Sequence, residues 1–135
     1  MNDSGQPTSF LVDLNAICRQ AGASGPRWSF ESSDLDLTVL SWTVPQEIAP
    51  HVNDEVDVLL IGLDGTGEVR VDETAYDLTA GQAVLITKGA RRSFRCLSAR
   101  WSYLSVHRRR RGLWPTFPPN MDRSSEHPGD SPEEA

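Results

Sequence analysis

The sequence predicts an all-β domain, a sandwich or a small antiparallel barrel. Three features carry that expectation. From Trp28 the apolar residues begin to recur with period two, the spacing of a strand with one buried face. Short apolar runs then follow one another at intervals of about ten residues. Glycine, aspartate and proline punctuate nearly every gap between them.

Before that change lies a different pattern. Residues 1–9 are polar and predict a flexible N-terminus. "FLVDLNAICRQAG" places Phe10, Leu14, Ile17 and Ala21 on one helical stripe, with Leu11 and Cys18 beside it and Gly22 at the end. A helix over 10–22 is therefore expected, with an apolar face that must cover the barrel or a partner subunit.

The barrel is expected over residues 27–111. In "DLDLTVLSWTV", Leu35, Leu37 and Val39 alternate with Asp34, Asp36 and Thr38 before both faces turn apolar around Leu40 and Trp42. Pro45 and Pro50 interrupt the chain ahead of His51. "VDVLLIGL" reads as a strand, and "DGTG" as a hairpin turn. "EVRVDE", "AYDLT", "AVLIT", "RRSFRCL" and "RWSYLSVH" complete the set, with a turn at "TAGQ". Trp28, Trp42, Trp101 and Tyr103 fall in strands and are expected to fill cores. Residues 112–135 contain five prolines and an acidic end, which predicts a mostly disordered tail in which only Trp114 and Phe117 would pack.

Composition bounds the function. At 135 residues, 38% hydrophobic and 24% charged, the chain suits one soluble domain with a real core. No apolar run approaches a membrane span, and "MNDSGQPTSF" has no positively charged leader, so a cytoplasmic protein is expected. Cys18 and Cys96 stand far apart in unlike contexts and read as buried thiols.

The net charge of −6 hides a partition. Lys88, Arg91, Arg92, Arg95, Arg100 and Arg108 to Arg111 form a basic stretch without an acid. Asp54, Glu55, Asp57, Asp64, Glu68, Asp72, Glu73 and Asp77 face only Arg70 in an acidic one. Neighbouring strands with cross-strand ion pairs explain this without an external partner. The run Arg108–Arg111 has no interleaved aromatics and sits in an acidic protein, which argues against nucleic acid. His107 reads as a strand-end histidine with no identifiable acid beside it.

The stretch from His51 to Phe94 resembles the cupin superfamily. The first cupin motif runs His-x-His, three or four residues, Glu, then a Gly about six residues on. Here it becomes His51, Val52, Asn53, three residues, Asp57 and then Gly65, one residue late. The second is Gly, five residues, Pro-x-Gly, two residues, His, three residues, Asn. Here Gly81, "QAVLI", Thr87, Lys88, Gly89, "AR", Arg92, "SFR" and Cys96 keep every spacing but not every side chain. The resemblance implies an antiparallel jelly-roll barrel with a cavity at one mouth, and commonly a homodimer.

It also implies a metal site whose ligand positions are His51, Asn53, Asp57 and Arg92. Only His51 keeps the usual residue. An amide is a weak ligand for transition metals, and a guanidinium only donates. The expectation is therefore no cofactor, with at most weak divalent metal binding at His51. Two accounts of Arg92 stand side by side: an ion pair with Asp57 or Glu55 that fills the lost site, or a fork of donors for an anion oriented by His51 and Asn53. The reading that follows is a cupin-like binder of a small, anionic molecule in the barrel. Its alternatives are a cupin enzyme of isomerase, dioxygenase or decarboxylase type, and a structural module. No catalytic residue is identifiable from the sequence.

Overall fold

The computed structural model describes residues 8–109 apart from 21 and 23. The expected tail at 112–135, Arg110 and Arg111, and most of the N-terminal stretch lie outside the described residues. The first element, α1, spans Leu14–Arg19 and is shorter than the expected 10–22. Asp13 sets its start by accepting the Ala16 N–H, and Gln20 already has extended backbone. Phe10 is thereby freed from the helix and packs edge-on against Trp28 and Phe30 instead.

Among the described residues nine strands follow: β1 Gly25–Glu31, β2 Leu35–Thr43, β3 Glu47–Val52, β4 Val58–Asp64, β5 Thr66–Val71, β6 Thr74–Thr79, β7 Ala83–Ile86, β8 Arg91–Cys96 and β9 Arg100–Arg108. They form a five-stranded sheet in the order β1-β2-β9-β4-β7 and a four-stranded sheet in the order β3-β8-β5-β6, with antiparallel pairing throughout. Two antiparallel sheets with crossing connections make the jelly-roll barrel that the sequence predicts.

"DGTG" is not a hairpin turn. β4 belongs to the five-stranded sheet and β5 to the other, so the bend at Gly65 carries the chain between sheets. Gly65 has φ +70, and a Cβ there would collide with the Arg100 carbonyl. The tight hairpin in this region joins β5 to β6, where Asp72 takes the left-handed conformation at φ 52.

Leu40, Val58, Leu60, Val69, Leu78, Phe94, Trp101 and Tyr103 pack between the sheets. A second cluster lies on the outer face of the larger sheet, where Ile17 and Cys18 of α1 cover Val39, Trp28, Leu63 and Leu104. Both cysteines are buried free thiols whose pKa burial pushes up. The opposed charge blocks meet on the outside of the smaller sheet. Glu68 is the cross-strand partner of Arg95 and lies 3.1 Å from its guanidinium, with Arg70 at 3.8 Å.

Candidate functional site

Registers show which side chains share the barrel interior. Directly opposed residues in antiparallel strands project to the same face. His51, Arg92 and Val71 are successive partners across β3, β8 and β5. Glu31, Asp36, His107 and Val58 are successive partners across β1, β2, β9 and β4. Val71 packs against the core and Val58 belongs to it, so both rows face inward.

Both rows also lie at the same end of the barrel. Gly67, the partner of Cys96, lies against the Trp101 indole, and the Phe94 ring lies 6.2 Å from that of Tyr103. Continuing along both strands in the same direction leads to Arg92 on one wall, and to Ser105 and then His107 on the other.

The wall of β3 and β8 carries the motif positions, and it is closed. His51 Nδ1 lies 3.0 Å from the Ala49 carbonyl, which only accepts, so Nδ1 carries a proton and in the neutral ring Nε2 keeps the lone pair. That is how a metal-ligating histidine is oriented. Yet Nε2 is shut off from solvent and has no hydrogen-bond partner. Asn53 spends its Oδ1 on the backbone N–H groups of Glu55 and Val56, a loop cap that mimics a turn. The Asn53 carbonyl accepts the Gly89 N–H, joining the β3–β4 loop to the β7–β8 turn.

Asp57 is exposed and accepts the Lys88 N–H at 2.9 Å, tying the same two loops together from outside. Arg92 is 1% exposed. Its Nε donates to the Ala90 carbonyl at 3.1 Å and its Nη2 to Thr87 at 3.3 Å. The structure thus brings His51 and Arg92 side by side, turns Asn53 into its own loop and sends Asp57 outside. As a ligand set these four do not fit a transition metal. One imidazole lone pair is available, the amide oxygen is occupied, and the fourth position is a buried cation. Among the described residues no group of three or more His, Cys, Asp or Glu is placed to hold a metal ion.

The opposite wall is open. A cavity of about 370 Å³ is lined by Ser29, Phe30 and Glu31 of β1, Asp36, Leu37 and Thr38 of β2, and His107 of β9. His107 corrects the expectation of a surface histidine without an acid: it is 6% exposed, and its Nδ1 lies 3.9 Å from Asp36 Oδ2. The same nitrogen lies 2.9 Å from the Arg108 carbonyl and donates to it.

Glu31 stands next in the row. Burial, a hydrogen bond with Asp36 and the Asp36 charge push its carboxyl above the usual range, while Arg109 and His107 pull the other way. Arg109 lies 3.5 Å from Glu31 at the rim and donates to the Ser32 carbonyl. Such a row of acids and imidazole can accept hydrogen bonds, hold a positive charge or pass a proton.

Sequence reasoning missed Glu31, Asp36 and His107 because Asp34, Asp36 and Thr38 read as the solvated side of β2. The signal was present in Leu40 and Trp42. Continued backwards in steps of two, these core residues lead to Thr38 and Asp36. Leu37 and Val39 face outward instead, and Val39 lies in the cluster beneath α1.

No family model matches the chain, and neither does any curated protein. Solved structures do. TT1209 from Thermus thermophilus is 25% identical with a TM-score of 0.63, covering 75% of this chain and 98% of its own. A cupin-2 domain containing protein from Shewanella frigidimarina is 19% identical with a TM-score of 0.63, over 73% and 95%. A double-stranded beta-helix domain protein from Klebsiella pneumoniae is 19% identical with a TM-score of 0.62, over 74% and 90%. No helix among the described residues is long and apolar enough to cross a membrane. With its two sheets, their crossing order and these structural likenesses, the chain has the fold of the cupin superfamily.

Proposed function

We propose that this protein binds a small organic molecule, without a metal, in the cavity at the His51–His107 end of the barrel. The observation that carries this reading is the cavity itself. It has the volume of a small-molecule site, mixed polar and apolar walls, and a rigid sheet behind it. The wall of His51, Asn53 and Arg92 then serves to hold the barrel end in shape, with loops tied by Asn53 and Asp57. An anionic ligand held by Arg92 has less support, since two of its donor groups are committed to backbone carbonyls.

The test is a fragment screen on the full chain by amide chemical shifts. Saturable shifts at Ser29–Glu31, Asp36–Thr38 and His107 are expected, together with a raised Tm that Asp36→Ala removes and Asp57→Ala leaves. Fragments that shift only residues on the outer sheet faces would end the reading.

An enzyme is the second reading, favoured by one observation. Glu31 is pushed up beside Asp36, and a carboxyl held above its usual range, with a second carboxyl and an imidazole in the same row, supplies the parts of a proton-transfer site. A homodimer in the cytoplasm is part of the same proposal, and light scattering on the purified chain tests the dimer.

A further inference from the structure

The charge and shape of the open wall specify more than a cavity. Two carboxyl groups, Glu31 and Asp36, are direct cross-strand partners on one face, where like charges oppose each other. His107 adds an imidazole to the same row, and Ser29 and Thr38 contribute hydroxyls. Phe30 and Leu37 also border the cavity, but from strand positions whose side chains face outward.

A separate observation concerns buried polar atoms: Asp36 Oδ1, on the cavity wall, is shut off from solvent without a hydrogen-bond partner. Ser105, 1% exposed, is the partner of Thr38 and lies two residues before His107 on the same inner face. Its Oγ has no hydrogen-bond partner, and a buried hydroxyl left unsatisfied has a cost of about 1–3 kcal/mol. Arg109 approaches Glu31 from the rim and is itself held by the Ser32 carbonyl. It leaves the cavity side of Asp36 to whatever enters.

We propose that the cavity takes an organic ammonium ion, a small primary amine. The ammonium would lie between Asp36 and Glu31 on the inner face, with Thr38 as a further acceptor. This rests on the cavity reading above and fixes its ligand class. Two opposed carboxylates repel each other, and an ammonium between them relieves this by adding a positive charge and three donors. The motif wall does not enter this chemistry.

Three probes of one shape test it: benzylamine, benzyl alcohol and benzoate, each titrated into the full chain and followed by amide shifts. Benzylamine is expected to move Phe30, Asp36, Thr38 and His107 saturably, and to bind at least about tenfold more tightly than benzyl alcohol. Benzoate is expected to leave these residues unmoved. Asp36→Asn should weaken benzylamine about tenfold with its spectrum otherwise intact. If that variant does not fold, Glu31→Gln at the exposed rim should weaken it several-fold.

Benzoate binding in the cavity as tightly as benzylamine would overturn the charge assignment and leave the cavity reading standing. Benzylamine saturating elsewhere would overturn it as well. If none of the three moves a cavity residue, both readings fall together.

Discussion

The two inner walls at this barrel end reverse the roles their sequences suggest. The β3–β8 wall carries the recognisable motif, yet its polar groups are turned on the protein itself: His51 to Ala49, Asn53 to the following loop, and Arg92 to Ala90 and Thr87. The β1–β2–β9 wall carries no motif, yet it borders the cavity with Glu31, Asp36 and His107. The barrel interior does not end at the motif positions. There the polar side chains serve structure, while the residues that border open space lie on the other wall.

That contrast predicts a split between stability and binding. The largest effect should come from Arg92→Ala, with a loss of about 3–5 kcal/mol measured by urea denaturation, because a long buried side chain vanishes and two carbonyls lose their donor. Asp36→Asn should cost under about 1 kcal/mol, since its partner Glu31 can still bond to the amide. Were the two costs equal, the walls would not differ as described.

Asn53→Ala should follow at about 1–2 kcal/mol, through two uncapped backbone N–H groups in the β3–β4 loop. Asp57→Ala is expected at about 0.5–1 kcal/mol, as its bond to Lys88 is exposed. Neither should change ligand affinity in the cavity, and a change from Asp57→Ala would bring the motif wall back into the site.

The smallest effect is in pH dependence. Glu31 has its folded pKa raised, so its contribution is complete below the unfolded value of about 4.3 and is lost as pH rises through the folded value. The Tm of the wild type should therefore fall relative to Glu31→Gln on going from pH 4 upwards, by a degree or two. A relative rise would mean that the Arg109 pair outweighs Asp36 at that carboxyl.

Much of this was legible in the residues. Period-two alternation and turn residues placed the strands, because a strand half-buried in a barrel imposes that period on any sequence. The spacing from Gly81 to Cys96 was legible because Gly81 and Gly89 need φ +87 and +89 whatever occupies the barrel. The side chains between them have no such constraint. "DGTG" was misread because a glycine turn looks alike whether it closes a hairpin or moves the chain between sheets, and only long-range pairing with β9 and β8 decides.

The sequence by itself determined the strands, the barrel and the thiols in the core. All of these follow from local periodicity and turn chemistry. The tertiary structure alone decided which polar residues are inside. Alternation along β2 offers two faces, one with Leu37 and Val39 and one with Asp36 and Thr38, and both are partly covered. α1 and the second apolar cluster take the leucine face, which leaves the aspartate facing the cavity. That choice depends on packing between segments far apart in the chain, which no window of neighbouring residues records.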